Sequence, residues 1–478
     1  MAKRILLGLA MLAALLAFGC GQKAGRLSTS SKEALAEYEL GVAAADKLYF
    51  EEAAGHFVKA VALDSGFAVA YSRLSKVLQN LGDEAQAREY QAKALRLMKD
   101  PSGKDRVTER EGLFIVLQDA YLHYDFDKAQ ATIERWVERF PEDYEAHAFL
   151  GMEQQISQNY DQALIAYHRT AELNPNYAQA YNGMGYLHLA KGDFDRALEN
   201  LEKYRDMAPD QANPYDSIGE LEQARGRYQE AIKQYRKALE INPNLRFVLH
   251  HLGEIYRIQG QYARAIDYFL EAAEKARGPE AESISRQYLA YCYLRRGNLK
   301  QALTEALRAV ELDPKNPIAH YNLGLVHVAM GDLSAAMADA ERTDQWLTKL
   351  NLRRYGLDRF LFHLMGEIYL ATKEYDLAID SHWEAVQKSP SPLYNLFYLH
   401  ALGYAYYQAG RLDEAVATLE RALGQNPNHA DCLYTMALIY KEKGDYKLAR
   451  ECLDRFREVF KDADEGVEWV EKAIRMKV

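Results

Sequence analysis

The sequence predicts an all-α solenoid of about twelve stacked helix pairs, and three observations predict it. The first is an alanine that recurs at Ala53, Ala87, Ala129, Ala163, Ala197, Ala231, Ala265, Ala302, Ala336, Ala378, Ala415 and Ala449, with successive gaps of 34, 42, 34, 34, 34, 34, 37, 34, 42, 37 and 34. A period of 34 residues holds two antiparallel helices and their turns, so recurrence at that period marks a stacked array. The second is apolar spacing inside each unit. Between Ala178 and Gln211, the residues Tyr181, Met184, Gly185 and His188 mark one helical face, while Ala197, Leu201 and Tyr204 mark another. The third is punctuation: a Gly-containing turn between the two helices and a Pro at the end of the second.

Eight units carry the turn glycine: Gly82, Gly192, Gly226, Gly260, Gly297, Gly331, Gly410 and Gly444. At such a site a positive φ ends the first helix without a Cβ clash. An Asx residue often follows, as a helix N-cap would require. Pro141, Pro175, Pro209, Pro243, Pro314, Pro390 and Pro427 stop the second helix. A glycine at the eighth position of the unit, for instance Gly41, Gly219, Gly253 and Gly366, is expected to face the alanine at the twentieth and let the two helices approach closely. Ser75, Leu117, Ala290 and Ala437 replace it in four units.

These positions, Gly, Tyr, Gly, Ala, aromatic, Ala and Pro in register, resemble the tetratricopeptide repeat family over roughly residues 34–463. The resemblance implies a right-handed superhelix. Unit starts are read at Ala34, Ala68, Arg110, Tyr144, Ala178, Ala212, Arg246, Ser283, Pro317, Arg359, Leu396 and Ala430. The chain then divides as repeats 1–2 in 34–101, 3–7 in 110–279, 8–9 in 283–350, 10 in 359–392 and 11–12 in 396–463. Insertions fall near 102–109, 280–282, 351–358 and 393–395. In 464–478, Val467, Val470 and Ile474 at helical spacing predict a capping helix over the last repeat's apolar face.

The N-terminus carries a different signal. Lys3 and Arg4 precede an apolar run, Ile5 to Phe18, that ends at Gly19-Cys20, which reads as a signal peptide over 1–19. A small residue before a Cys resembles the bacterial lipobox, although Ala17 stands where Leu is usual and Phe18 is bulky. The resemblance implies lipidation of Cys20, with acyl chains that anchor the chain to a membrane, each buried CH₂ contributing roughly 0.8 kcal/mol. Gly21 in place of Asp then favours the outer membrane of the cell envelope, with the chain facing the periplasm. Residues 20–33 read as lipidated Cys plus flexible tether, being small and polar at 21–31.

Composition fits an exported helical array, with 49% hydrophobic and 27% charged residues. The formal charge of −10 becomes −12 when the two cations of the signal leave. An acidic chain without a basic stripe argues against nucleic acid as a partner. Cys432 and Cys452 sit at similar heights of one helix hairpin, so they are either a disulfide or two packed thiols, while Cys292 has no evident mate. No phosphate loop, nucleophile elbow or His-Glu-x-x-His pair occurs, and no cofactor or metal is expected. The adjacent His250 and His251 diverge by about 100° on a helix and do not chelate together.

The family resemblance places function on the concave surface, lined by the first helix of each repeat. Carried over, that surface includes Phe247, His250, Glu254, Arg257, Tyr291, Tyr321, Phe360, His363, Phe397, His400, Tyr404 and Tyr407. An exposed aromatic concavity marks a binding surface. The alternative is that the array curls tightly and buries these side chains as core. The expectation is a non-enzymatic, membrane-anchored adaptor that binds an extended peptide or helix of an envelope complex, as in secretion, pilus assembly or polysaccharide export. Glycan binding beside a polysaccharide-synthesis system is the alternative.

Overall fold

In the computed structural model, the described residues are 27–478 apart from 48, 124, 277 and 390–394. The signal peptide, Cys20 and the first part of the tether lie outside them. Among the described residues, twenty-five α-helices follow in order. Repeats 1 to 4 are α1 (Lys32–Asp46) and α2 (Phe50–Leu63), α3 (Ala68–Asn80) and α4 (Glu84–Leu97), α5 (Glu109–Leu122) and α6 (Phe126–Arg139), α7 (Tyr144–Ile156) and α8 (Tyr160–Leu173). Repeats 5 to 8 are α9 (Ala178–Ala190) and α10 (Phe194–Met207), α11 (Asn213–Ala224) and α12 (Tyr228–Ile241), α13 (Arg246–Ile258) and α14 (Tyr262–Glu274), α15 (Pro279–Arg296) and α16 (Leu299–Leu312). Repeats 9 to 12 are α17 (Pro317–Met330) and α18 (Leu333–Lys349), α19 (Arg359–Thr372) and α20 (Tyr375–Gln387), α21 (Leu396–Gln408) and α22 (Leu412–Gln425), α23 (Ala430–Glu442) and α24 (Tyr446–Val459). A short α25 (Glu468–Ile474) ends the chain. Among the described residues, the remaining regular structure is a 3-10 turn at Leu352–Tyr355 and one bridge between Lys99 and Asp105.

Local chemistry explains the helix ends. Asp83, Asp125, Asp193, Asn298, Asp332 and Asp445 each accept a hydrogen bond from the backbone N–H three residues on, capping the second helix of a repeat. Each cap contributes about 1 kcal/mol. Gly297 ends α15 with φ +85° and sends its N–H to the Leu294 carbonyl. Repeats 4 and 10 lack glycine at that turn, and Gln158 and Lys373 take the left-handed conformation there, each at φ +62°. The longer helices α15 and α18, of 18 and 17 residues, absorb chain next to two of the insertions.

All twelve recurring alanines are fully buried between the helices of their repeats. The eighth-position glycines, however, face a different partner from the one expected. A Cβ on Gly253 would lie 2.3 Å from the Phe269 ring, and one on Gly219 would lie 2.5 Å from Tyr235. The glycine therefore makes room for the large side chain four residues after the alanine, one helical turn on. Burying each such ring contributes on the order of 2–3 kcal/mol.

The chain divides into two compact bodies, one running to Gln155 and including Asn159–Met184, the other comprising Ile156–Gln158 and Gly185–Val478. In the first body a continuous core extends from Ala34 to Phe149. The described end of the tether is docked on it, which corrects the flexible reading for those residues: Ser28 donates from its N–H and hydroxyl to Glu111 at 3.0 and 2.9 Å, and the Thr29 hydroxyl donates to Asp64 at 2.6 Å. Ser31 caps α1.

In the second body the last repeats return to pack on the sixth to eighth. Leu433, Phe456 and Phe460 share one core with Tyr228, Ile255 and Phe269. Asn428 donates its side-chain amide to the Gly226 carbonyl at 3.1 Å, and the Asp464 N–H donates to the Gly260 carbonyl at 3.0 Å. Helix α25 is wedged into this seam. Val467, Val470 and Ala473 are buried in it, whereas Ile474 is 37% exposed, which corrects its expected inward placement. Trp469 donates its indole N–H to the Arg295 carbonyl at 3.0 Å. The capping helix thus joins repeat 12 to repeats 7 and 8.

Candidate functional site

The seam of the second body holds a partly open cavity of about 390 Å³. Its wall is built from one face of each first helix: Glu220, Gln223 and Ala224 from α11, His251, Glu254 and Arg257 from α13, and Tyr288, Tyr291 and Arg295 from α15. Spacings of three and four residues put each group on one side of its helix. Helices α21 and α23 close the opposite side with Phe397 and Asp431.

Charge in this enclosure is paired. Arg257 forks onto Glu254 at 3.0 and 2.8 Å and lies 4.9 Å above the Tyr291 ring. Arg295 donates to Asp431 at 2.6 Å and lies 4.6 Å from the Trp469 ring, tying α15 to α23. Burial opposes the charge on Asp431, but Arg295 overrides it and holds the carboxyl below the usual carboxylate range. His251 meets Asp216 at 2.8 Å, and although burial disfavours the imidazolium, Asp216 and Glu220 raise it to about 9. Burial raises Glu220, with His251 opposing.

The residues expected to line the groove divide. Glu254, Arg257, Tyr291 and Phe397 line the cavity. His250 does not. It is buried, stacked on Tyr288 at 4.6 Å and bonded through Nε2 to the Ser285 hydroxyl at 2.9 Å, and its neighbour His251 faces the cavity instead. Tyr321 and His363 are also buried as core, which corrects their placement on an open concavity. Phe360 is half-buried with its ring 5.0 Å from Tyr321. His400 bonds Thr435 at 3.2 Å, and Tyr404 and Tyr407 run on from it at 6.2 Å spacings. Tyr404 and Phe247 remain exposed at 37% and 38%. Tyr321 and His363, in the middle of the expected surface, are thus buried, while Phe247 and Tyr404 toward its ends are exposed.

Cys432 and Cys452 are free, buried thiols in one apolar cluster with Leu399 and Met436. The disulfide alternative is thereby corrected: both act as small apolar side chains, and burial raises both thiols. Cys292 is likewise a buried free thiol.

Two groups of residues escaped the sequence reading. In the first body Arg73 forks onto Glu145 with both distances 2.6 Å, Arg110 reaches Glu145 at 2.8 Å and Asp143 at 2.5 Å, and the Arg73 guanidinium lies 3.8 Å over Phe114. Burial opposes ionisation of Glu145, yet Arg73 and Arg110 hold it at about 2. The other is the convergence of His382 on α20 with His363 and Glu367 on α19, of which His363 was expected on the groove but not in this grouping. His382 had a legible signal, because it stands where Phe57, Tyr167, Tyr235 and Phe269 stand in other repeats. Among the described residues, no helix is long and apolar enough to cross a membrane.

Comparison with known proteins agrees with this architecture. Tetratricopeptide repeat families match residues 68–100, 157–212, 219–256, 248–282, 290–331 and 406–465. The chain belongs to the tetratricopeptide repeat family, an all-α repeat solenoid whose repeats form scaffolds for protein–protein interaction. It is 30% identical over 156 residues to the human cilia- and flagella-associated protein 70, covering 33% of this chain and 13% of that protein. It is 27% identical over 153 residues to the bovine BBSome complex member BBS4, covering 32% and 27%. With the photosystem I assembly protein Ycf3 of Prochlorococcus marinus it shares 34% identity over 71 residues, covering 15% and 41%. The chain thus spans well under half the length of these relatives. Among solved structures it resembles the human IFIT1 dimer with m7Gppp-AAAA, at 16% identity and TM-score 0.43 over 83% of this chain and 90% of that one. It also resembles the Cut9–Hcn1 hetero-tetramer, at 16% identity and TM-score 0.38 over 93% and 97%.

Proposed function

We propose that this protein is a membrane-anchored, non-enzymatic scaffold of the bacterial cell envelope that holds an extended segment of a partner protein in the cavity of its second body. The observation that carries this reading is the cavity itself. Its volume falls within the range of about 300–1,000 Å³ typical of ligand sites. Aromatic rings supply anchoring surface, and the paired Arg257–Glu254 and Arg295–Asp431 offer both donors and acceptors to a peptide backbone. Three relatives support an assembly role by their names: a BBSome complex member, an anaphase-promoting complex subunit and a photosystem I assembly protein. The anchor rests on the Lys3-Arg4, apolar run and Gly19-Cys20 sequence, which also motivates the outer-membrane, periplasm-facing location. The machine served would be one of envelope assembly, secretion, pilus formation or polysaccharide export.

The test is affinity capture from detergent-solubilised envelope membranes, comparing the wild type with Ala224→Trp, which fills the cavity from the end of α11. Loss of a protein partner with helicity and thermal midpoint retained supports the reading. Unchanged capture moves the docking site to the exposed surface around Tyr404 and Tyr407. Loss of retention on polysaccharide with protein partners kept would favour the glycan-binding alternative. Separately, Cys20→Ala should move the chain from the membrane to the soluble fraction; a variant that stays in the membrane refutes the lipid anchor.

A further inference from the structure

Repeat 10 departs from its neighbours at the position that closes the helix pair. In repeats 1, 4, 6 and 7 that position holds Phe57, Tyr167, Tyr235 and Phe269, each packed on the eighth-position glycine of its own repeat. Repeat 10 keeps the glycine, Gly366, but sets His382 against it, so close that a Cβ on Gly366 would lie 2.5 Å from the imidazole. Repeats 5 and 11 set Leu201 and Leu419 against the same glycine, whereas repeat 10 places a ring with two nitrogens there, at a fully buried site. Neither nitrogen has a hydrogen-bond partner. Burying such a group unsatisfied costs about 1–3 kcal/mol, so the packing role alone does not account for the choice of histidine.

What surrounds the ring does. His363 and Glu367 lie four residues apart on α19 and therefore on one face of it, the face that meets α20. Nε2 of His363 and Nε2 of His382 are each 3.6 Å from the same oxygen of Glu367. The three ligand atoms lie within 4.8 Å of one another. At 3.6 Å the histidine nitrogens are too far from the carboxylate to hydrogen-bond it. That separation is close to the roughly 3.4 Å between neighbouring ligand atoms of a tetrahedral zinc ion with bonds near 2.1 Å. The other nitrogen of His363, Nδ1, is 3.3 Å from the Tyr321 hydroxyl, an outer contact of the kind that fixes the tautomer and leaves Nε2 free to coordinate.

We propose that His363, Glu367 and His382 bind a divalent transition-metal ion of the zinc class, pinning α19 to α20 and leaving a fourth coordination position for water or an incoming ligand atom. Two imidazoles and one carboxylate match zinc's preference for nitrogen and oxygen donors. The ion would satisfy Nε2 of His382 where protein atoms do not.

The test is zinc titration of the purified, chelator-stripped full chain, alongside His382→Phe and Glu367→Gln. His382→Phe restores the residue type of repeats 1 and 7, and Glu367→Gln keeps the shape of the side chain, so a failure of one variant to fold leaves the other to read. The wild type should take up one more zinc per chain than either variant and gain thermal midpoint with zinc. Affinity should fall at least tenfold in both variants. Cobalt should give visible ligand-field bands in the wild type that His382→Phe loses. Equal zinc uptake and equal thermal shifts in wild type and variants would overturn the proposal and leave His382 a packing residue. These readouts are independent of partner capture, so they stand or fall apart from the scaffold reading.

Discussion

Phe460→Ala should open the seam of the second body and be felt about 200 residues away in sequence. The Phe460 ring is 3% exposed, stacks on Phe456 at 4.6 Å and 12°, and meets Trp469 edge-on at 5.5 Å. It also lies against Gly260, where a Cβ would come within 2.6 Å of it. Removing a fully packed Phe costs about 3–5 kcal/mol. The lower end applies here, because Trp469 can move part of the way into the space. Next to the lost ring are the bonds that close the seam, from the Asp464 N–H to the Gly260 carbonyl and from the Ala263 N–H to the Asp464 carboxylate at 2.7 Å. If these hold as a unit, about 3 kcal/mol of local stability disappears on both sides at once. Hydrogen exchange monitored by mass spectrometry should then accelerate roughly 100-fold in both 446–474 and 260–274, since each 1.4 kcal/mol is a factor of about ten. Acceleration confined to 446–474 would refute the reasoning, because it would mean that α25 and repeat 12 protect only themselves.

Three further outcomes follow from particular residues. Glu145 has its folded pKa lowered to about 2 from an ordinary value of 4.5, so its contribution is fully present above about pH 4.5 and is lost as pH falls toward 2. Exchange in α3 should accelerate across that window in the wild type and lose this pH dependence in Glu145→Gln, which should also lose about 3–5 kcal/mol at neutral pH by stranding Arg73. Lys373→Gly relieves a left-handed non-glycine residue and should stabilise repeat 10 by up to about 1 kcal/mol in urea unfolding. Gly253→Ala drives a methyl group into the Phe269 ring and should destabilise the second body by about 1–3 kcal/mol in the same assay.

The repeat pattern was legible in sequence because it is local and recurrent. A buried alanine leaves a mark at a fixed offset in all twelve copies, and a large residue one turn later or a capped turn reinforces it in many of them. The site was legible only in part. Glu254, Arg257, Tyr291 and Phe397, carried over from the family's concave-face positions, do lie on the cavity wall. The choice of His250 over His251 failed because the two differ by one position, and which side meets the cavity depends on helices some 180 residues further along the chain. The glycine's partner was misplaced for a similar reason, since spacing says that two helices approach but not which side chain fills the gap.

By itself, the sequence determined the class of fold, its approximate repeat boundaries and the alanines buried between the helices of each pair, because these follow from interactions within about 34 residues. Only the tertiary structure decided that repeats 11 and 12 return onto repeats 6 to 8, that an expected open groove becomes a partly open cavity, and that α25 is a wedge in that seam. Each of these depends on how small rotations between neighbouring repeats accumulate along the array, a quantity that no local pattern of residues records. The convergence of His382 on His363 and Glu367 lies within one repeat, and it was decided by which side chains of α19 and α20 meet across that pair.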